Sequence, residues 1–250
     1  MPTYSLLQES LDQVIGLEAL EEASDSIRSI VRADCAAMRR DFYGVVVAGL
    51  PHQEAFAFQS ALARRGYGTK VVDDAEVPVL HQAMRVQRAD LADGKLSFTS
   101  AMGRTEVREV KELVFVAAGF IQDQRWVTKG EMIWEPVRFS RDGLHVDLKY
   151  DREEGVGVFP MFQMDFFFWS MPNRVQVTVT ENSVGFFQGE LLRLKKPEGM
   201  VALMRKVAML MLRERMNTGM DRGDSSAGYP SVHAYEEEIR WHFHRLKEAG

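Results

Sequence analysis

The side chains best suited to chemistry gather between positions 233 and 244. His242 and His244 stand two apart, His233 is nearby, and Glu236, Glu237 and Glu238 lie between. A helical zinc site needs histidines at i, i+3 or i, i+4, so that both imidazoles share a face. At i, i+2 they point about 200° apart. The pair is therefore expected to be solvated, and no metal is assigned. Adjacent carboxylates also occur at Asp73-Asp74 and Glu153-Glu154. Neighbours on a turn or a helix face do not span a cleft, as acid–base work requires, so these too are expected in water.

Other motifs are weaker. Gly155-Val156-Gly157 lacks the third glycine and the following helix of a dinucleotide loop. Gly49-Leu50-Pro51-His52-Gln53 sets backbone N–H groups at a helix start, where an anion can bind, but an ordinary strand–helix connection with Pro51 at the first helical position accounts for it. Arg222-Gly223-Asp224 reads as a turn. The chain has neither a P-loop nor a G-x-S-x-G elbow. Its one cysteine, Cys35, falls in step with Ile27, Val31, Met38 and Phe42 and reads as a buried, inert thiol. No catalytic residue, cofactor or metal ligand is assigned.

Charge narrows the partner. The 31 basic and 36 acidic residues leave a net charge of −5, which disfavours nucleic acid unless Arg39, Arg40, Arg64, Arg65, Arg193, Lys195 and Lys196 converge on one face. Met1–Gly16 has no basic leader region. The longest apolar run, Leu113–Ile121, is far short of the ~20 residues a span requires. A cytoplasmic location with no membrane is expected, and a protein partner stays open.

The elements that position these groups fall into two parts. In residues 1–80, 4–15 fit either a helix or a short strand, and the stripe Leu17, Leu20, Ile27, Val31, Met38, Phe42 predicts two short helices or one bent one. Over 43–73, a strand at Val45–Ala48, a helix over 52–65 closed by Gly66, and a strand at Tyr67–Val72 predict a βαβ unit with parallel strands. Across 84–216 strands are expected near 85–90, 95–100, 112–121, 132–139, 144–149, 164–169, 174–180 and 184–188. Asp93-Gly94 is a tight-turn signal, and 151–157 is the expected long loop. Val175, Val177 and Val179 alternate with Arg174, Gln176, Thr178 and Thr180, which predicts one wet face.

Met200, Leu203, Met204, Val207, Ala208 and Met211 then predict a capping helix over 198–216, packed on Phe166–Trp169. Its methionines, Met200, Met204, Met209, Met211 and Met216, read as core rather than as a docking surface. Residues 217–232 are rich in Gly, Ser, Asp and Pro and read as a linker. A C-terminal amphipathic helix at 233–250 carries the stripe Tyr235, Ile239, Phe243, Leu246. The fold class is α+β: a small α/β layer related to ferredoxin-like sandwiches, then an antiparallel β roll under a long helix.

Strands and covering helix over 84–213 resemble, in architecture alone, the pleckstrin-homology-like roll. Val45–Pro51 with Ala55, Leu62, Gly66, Val71 and Val72 is also similar to uncharacterised bacterial proteins that pair a "VVVAGLP" unit with a β-rich half. Those relatives carry no assigned activity, so the resemblance implies none. The function expected is non-catalytic binding or regulation; the alternative is an enzyme with its site in the cleft between the two halves.

Overall fold

The first strand, β1 (Tyr4–Gln8), is paired on both sides. It runs antiparallel to β2 (Val45–Leu50) and to β3 (Thr69–Asp73), in the order β2-β1-β3. A strand in the middle of a covered sheet buries both faces, and β1 does so. Leu6 packs with Phe58 and Leu62 of α3 (His52–Arg64), while Leu7 packs with Val45 and Val72 on the other face. The expected βαβ unit is corrected accordingly. Its two strands are parallel, but β1 lies between them, and residues 4–8 are strand. Helices α1 (Leu17–Ser24) and α2 (Cys35–Asp41) are separate and pack beside α3, with Cys35 buried among them.

This computed structural model describes residues 2–127, 155–171, 173–180, 204–222 and 228–249. The strands expected at 132–139, 144–149 and 184–188 lie outside them.

Two further sheets follow. A three-stranded meander joins β5 (Arg88–Ala92), β6 (Lys95–Thr99) and β7 (Thr105–Glu109), the last not anticipated from the sequence. Asp93 and Gly94 turn it with φ of 50° and 70°, the left-handed pair of a tight hairpin. The five-stranded sheet has the order β11 (Gly228–Tyr229), β8 (Leu113–Val127), β9 (Gly155–Phe168), β10 (Arg174–Thr180), β4 (Met84–Val86). Its centre is the long antiparallel pair β8 and β9, so Gly155 to Gly157 are strand rather than loop. β10 is antiparallel to β9, whereas β4 and β11 join the edges in parallel. Among the described residues the sheets do not close into a barrel.

The sheet is covered on both faces. Phe166 and Phe168 point to one side, where they share a core with Phe98, Met204 and Val207. The packing expected between this aromatic run and the following segment is present for Phe166 and Phe168 but not for the exposed Trp169; residues 198–203 of the expected helix lie outside the described residues, and its later part differs. Residues 204–208 are helical, and a 3-10 turn at Arg213–Arg215 follows. The chain turns because Met216 bridges to Val116 and the Asn217 N–H reaches the Val116 carbonyl. The stretch read as linker is also structured where it is described. It holds α4 (Thr218–Arg222) and β11, and Asn217 is buried, bonded to both the N–H and the C=O of Ala118. Gly219 is needed there, since a Cβ would sit 1.9 Å from the Ala118 carbonyl oxygen.

The opposite face carries α5 (Val232–Ala249). Tyr235, Ile239 and Phe243 of the expected stripe pack on Phe115 and Phe167. On a different face of the helix, Trp241 packs with Leu7, Val45 and Val72 of the first sheet. Helix α5 thus touches both sheets.

Candidate functional site

Near its C-terminal end β9 carries a carboxylate, Asp165, with no exposed surface at all. Its neighbours on the same face are Gln163 and Phe167, and α5 covers that face. Oδ1 accepts from Arg174 Nε at 2.8 Å and Gln176 Nε2 at 3.2 Å; Oδ2 accepts from Gln163 Nε2 and the Tyr235 hydroxyl, each at 2.9 Å. Arg174 also donates to Glu236 at 2.7 Å and to the His81 carbonyl at 3.4 Å. The face of β10 expected to be wet is therefore dry at Arg174 and Gln176, which are buried. Alternation marks a face as polar, and here helix α5 covers it with matching donors and acceptors.

Burial weighs against the charge on Arg174, yet Asp165 and Glu236 outweigh it and hold its pKa above the ordinary arginine value. Burial, with the Asp165 charge behind it, pushes the Tyr235 phenol well above the usual range. Tyr235 is thus a fixed donor.

A cavity of about 300 Å³ opens beside this cluster. Leu80, Val114, Phe167 and Phe243 form apolar walls, and Arg174 also lines the cavity. The rings of Phe167 and Phe243 meet edge to face, 4.9 Å apart. Trp169 lines the cavity just past the end of β9 and is 76% exposed; Val79, also a lining residue, is 78% exposed. Among the described lining residues the ionisable groups are His81 and Arg174, and none of their side chains is a hydroxyl or thiol nucleophile. Arg174 is spoken for by two carboxylates. The arrangement can hold an apolar group and offer it a hydrogen bond.

A second buried cluster lies further along α5. Glu238 has no exposed surface and accepts from the Tyr229 hydroxyl and, at 2.7 Å, from the Thr218 N–H. His242 Nε2 stands 3.5 Å away. Burial works against the Glu238 carboxylate, but His242, Thr218 and Tyr229 outweigh it and keep its pKa below the ordinary value. Burial and the Glu238 charge drive the Tyr229 phenol well above its usual range.

The residues singled out in the sequence are distributed as follows. His242 and His244 are not solvated helix histidines: His244 is buried, and each faces a glutamate one turn away on its own helix. His233 is exposed, 3.7 Å from Glu237. The three glutamates are likewise not a solvated face, since Glu237 and Glu238 are buried and Glu236 pairs with Arg174. Among the described residues no three His, Cys, Asp or Glu side chains converge as a metal site.

At the Gly49–Gln53 connection Pro51 caps α3, and the Gly49 N–H is taken by Asp74 Oδ2 at 3.2 Å. Asp74 also accepts from Ser5, and Asp73 caps the next turn, so this carboxylate pair is structural. Arg40 pairs with Asp41 and Arg65 with Glu22, on different helices. Glu153, Glu154, Arg193, Lys195, Lys196, Gly223 and Asp224 lie outside the described residues. Asp165 and Arg174 were missed. Their one signal was a carboxylate set inside the apolar run Met164–Phe168.

Neither a family model, a curated protein nor a solved structure matches this chain. Among the described residues no helix is long and apolar enough to cross a membrane.

Proposed function

We propose that the protein is a non-catalytic binding protein, and that the aromatic cavity beside Arg174 takes an uncharged, apolar group. The observation that carries this is the exposed Trp169 on a cavity walled by Phe167, Phe243, Leu80 and Val114. A tryptophan left this open at an apolar concavity is the residue type that anchors recognition. An anionic ligand is disfavoured, because Arg174 already answers Asp165 and Glu236. An enzyme sited between the two halves would need a reactive group in a cleft. The perturbed phenols, Tyr229 and Tyr235, are instead buried under α5, where burial and their carboxylate partners account for them. The split arrangement of β1, β2 and β3 around α3 supports kinship with ferredoxin-like layers, and the β5–β7 meander beside the β8–β9 pair supports a pleckstrin-homology-like roll.

The test is calorimetric titration with 2-naphthol and with 2-naphthoate as its charged counterpart. The neutral probe is expected to bind about tenfold or more tightly than the anion. Trp169→Ala should weaken it without moving the melting temperature, because the side chain is mostly in water. Equal affinity for both probes, or binding indifferent to Trp169→Ala, would refute the assignment.

A further inference from the structure

A separate slot runs along the open edge of the first sheet. β2 has β1 on one side and no strand on the other among the described residues. Four consecutive β2 residues, Val45 to Ala48, line a groove of about 280 Å³ whose walls are Met38 and Phe42 near the end of α2, and Glu237 and Arg240 of α5. Lining by successive residues of one strand means that the groove follows the strand's edge. Val45–Leu50 carries no charge and no proline, the devices by which natural edges repel a further strand. Ala48 and Gly49 are exposed.

The wall residue Glu237 supplies the second observation. It is only 5% exposed, and its Oε1 accepts from Arg240 Nη1 at 2.6 Å. Its Oε2 is buried and meets no donor among the described residues. A buried carboxylate oxygen without a donor is costly, and a cationic N–H is the partner that satisfies it most strongly. Arg240 meets Glu237 through Nη1 alone, and its Nε is held by the Pro78 carbonyl at 3.1 Å.

We propose that this slot binds an extended peptide of a partner protein, which adds to β2 as a further strand and presents a lysine or arginine to Glu237. Main-chain bonds along β2 would give the affinity, and the basic side chain the selectivity.

The probe is a fluorescein-labelled peptide of about ten residues, alternating valine and threonine with one central lysine, titrated against the full chain by anisotropy. Two further forms are N-methylated on one or the other alternate set of backbone nitrogens, and a third carries glutamate for the lysine. The parent is expected to bind, one methylated form to lose binding while the other keeps it, and the glutamate form to bind about tenfold more weakly. Glu237→Gln should erase the lysine–glutamate difference. Ala48→Arg, at an exposed position that leaves the fold intact, should block the parent and keeps the test readable if Glu237→Gln lowers the melting temperature. The proposal is overturned if the parent does not bind, if both methylated forms bind like the parent, or if Ala48→Arg has no effect. Sedimentation of the free chain as a dimer that Ala48→Arg separates would assign the edge to a second copy and overturn it as well.

Discussion

Replacing Asp165 by alanine tests whether the buried polar cluster, rather than the surrounding rings alone, holds α5 on its sheet. The carboxylate is fully buried and takes four donors, one of them the charged Arg174. Removing it leaves Arg174 with a single carboxylate partner, the partly exposed Glu236. Breaking a buried pair from one side costs about 3–5 kcal/mol, most of it the stranded charge. The Tyr235 hydroxyl and two glutamine amides lose an acceptor as well. In a chain of this size each kcal/mol moves the melting temperature by about 2–4 °C, so a fall of roughly 6–20 °C is expected for Asp165→Ala. Tyr235→Phe removes one bond and should cost about 1 kcal/mol. The decisive variant is Asp165→Leu with Arg174→Met. It removes the stranded charge along with the carboxylate and should recover the share of the loss that the unpaired Arg174 causes. Urea unfolding followed by near-ultraviolet circular dichroism reads all three. A loss below about 1 kcal/mol for Asp165→Ala, or a double variant as unstable as the sum of its singles, would refute the reasoning.

Two further outcomes are expected. Val207→Asp should unfold or severely destabilise the chain, since Val207 is buried beside Phe166 and Phe168, whereas Arg205→Ala on the exposed side should leave thermal unfolding unchanged. Titration should erode stability at both ends of the pH range. Tyr229 and Tyr235 are raised above their ordinary value of 10.0, so their contribution is whole below that pH and is lost as pH climbs through the folded values; Tyr229→Phe should flatten the alkaline limb of a stability-against-pH curve. Glu238 is lowered from 4.5, so its contribution is whole above that pH and disappears as pH falls through the folded value; Glu238→Gln should flatten the acid limb.

Local patterns carried a good part of this fold. The left-handed pair Asp93-Gly94, the α3 helix closed by Gly66 and the burial of Cys35 each depend on a few adjacent residues, and each is as expected. Contacts between distant segments were not legible in the same way. The position of β1 between β2 and β3 depends on Leu6 and Leu7 being buried on opposite faces, and two adjacent leucines fit a helix equally well. The two-residue strand β11 sits in a stretch whose composition suits a linker, and its pairing depends on Gly119, where a Cβ would lie 2.3 Å from the Tyr229 ring. The polar cluster was hidden for a related reason. Arg174, Gln176, Glu236 and Glu238 have the periodicity of solvated faces. Two such faces pressed together with matched donors look, in sequence, like two faces in water.

Helix α5 explains why the cavity and the first sheet cannot be considered apart. Trp241 donates to the Gln8 carbonyl at 2.6 Å and occupies the space beside Gly44, where a Cβ would meet the indole at 2.5 Å. Gly44 in turn has φ of +80° and donates to the Gln8 side chain at 3.0 Å, so any larger residue there would be strained and would displace the indole. On the same helix Phe243 walls the cavity, and Arg240 holds the Pro78 carbonyl at the start of the connector that supplies Val79, Leu80 and His81. Arg174 holds the other end of that connector through the His81 carbonyl. The cavity is thus bounded by a helix keyed into the first sheet and by a connector tied to both the helix and the five-stranded sheet. A group seated against Phe243 and Leu80 stabilises only the arrangement in which all of these bonds are made, and its binding free energy accordingly adds to the docking of α5 on both sheets.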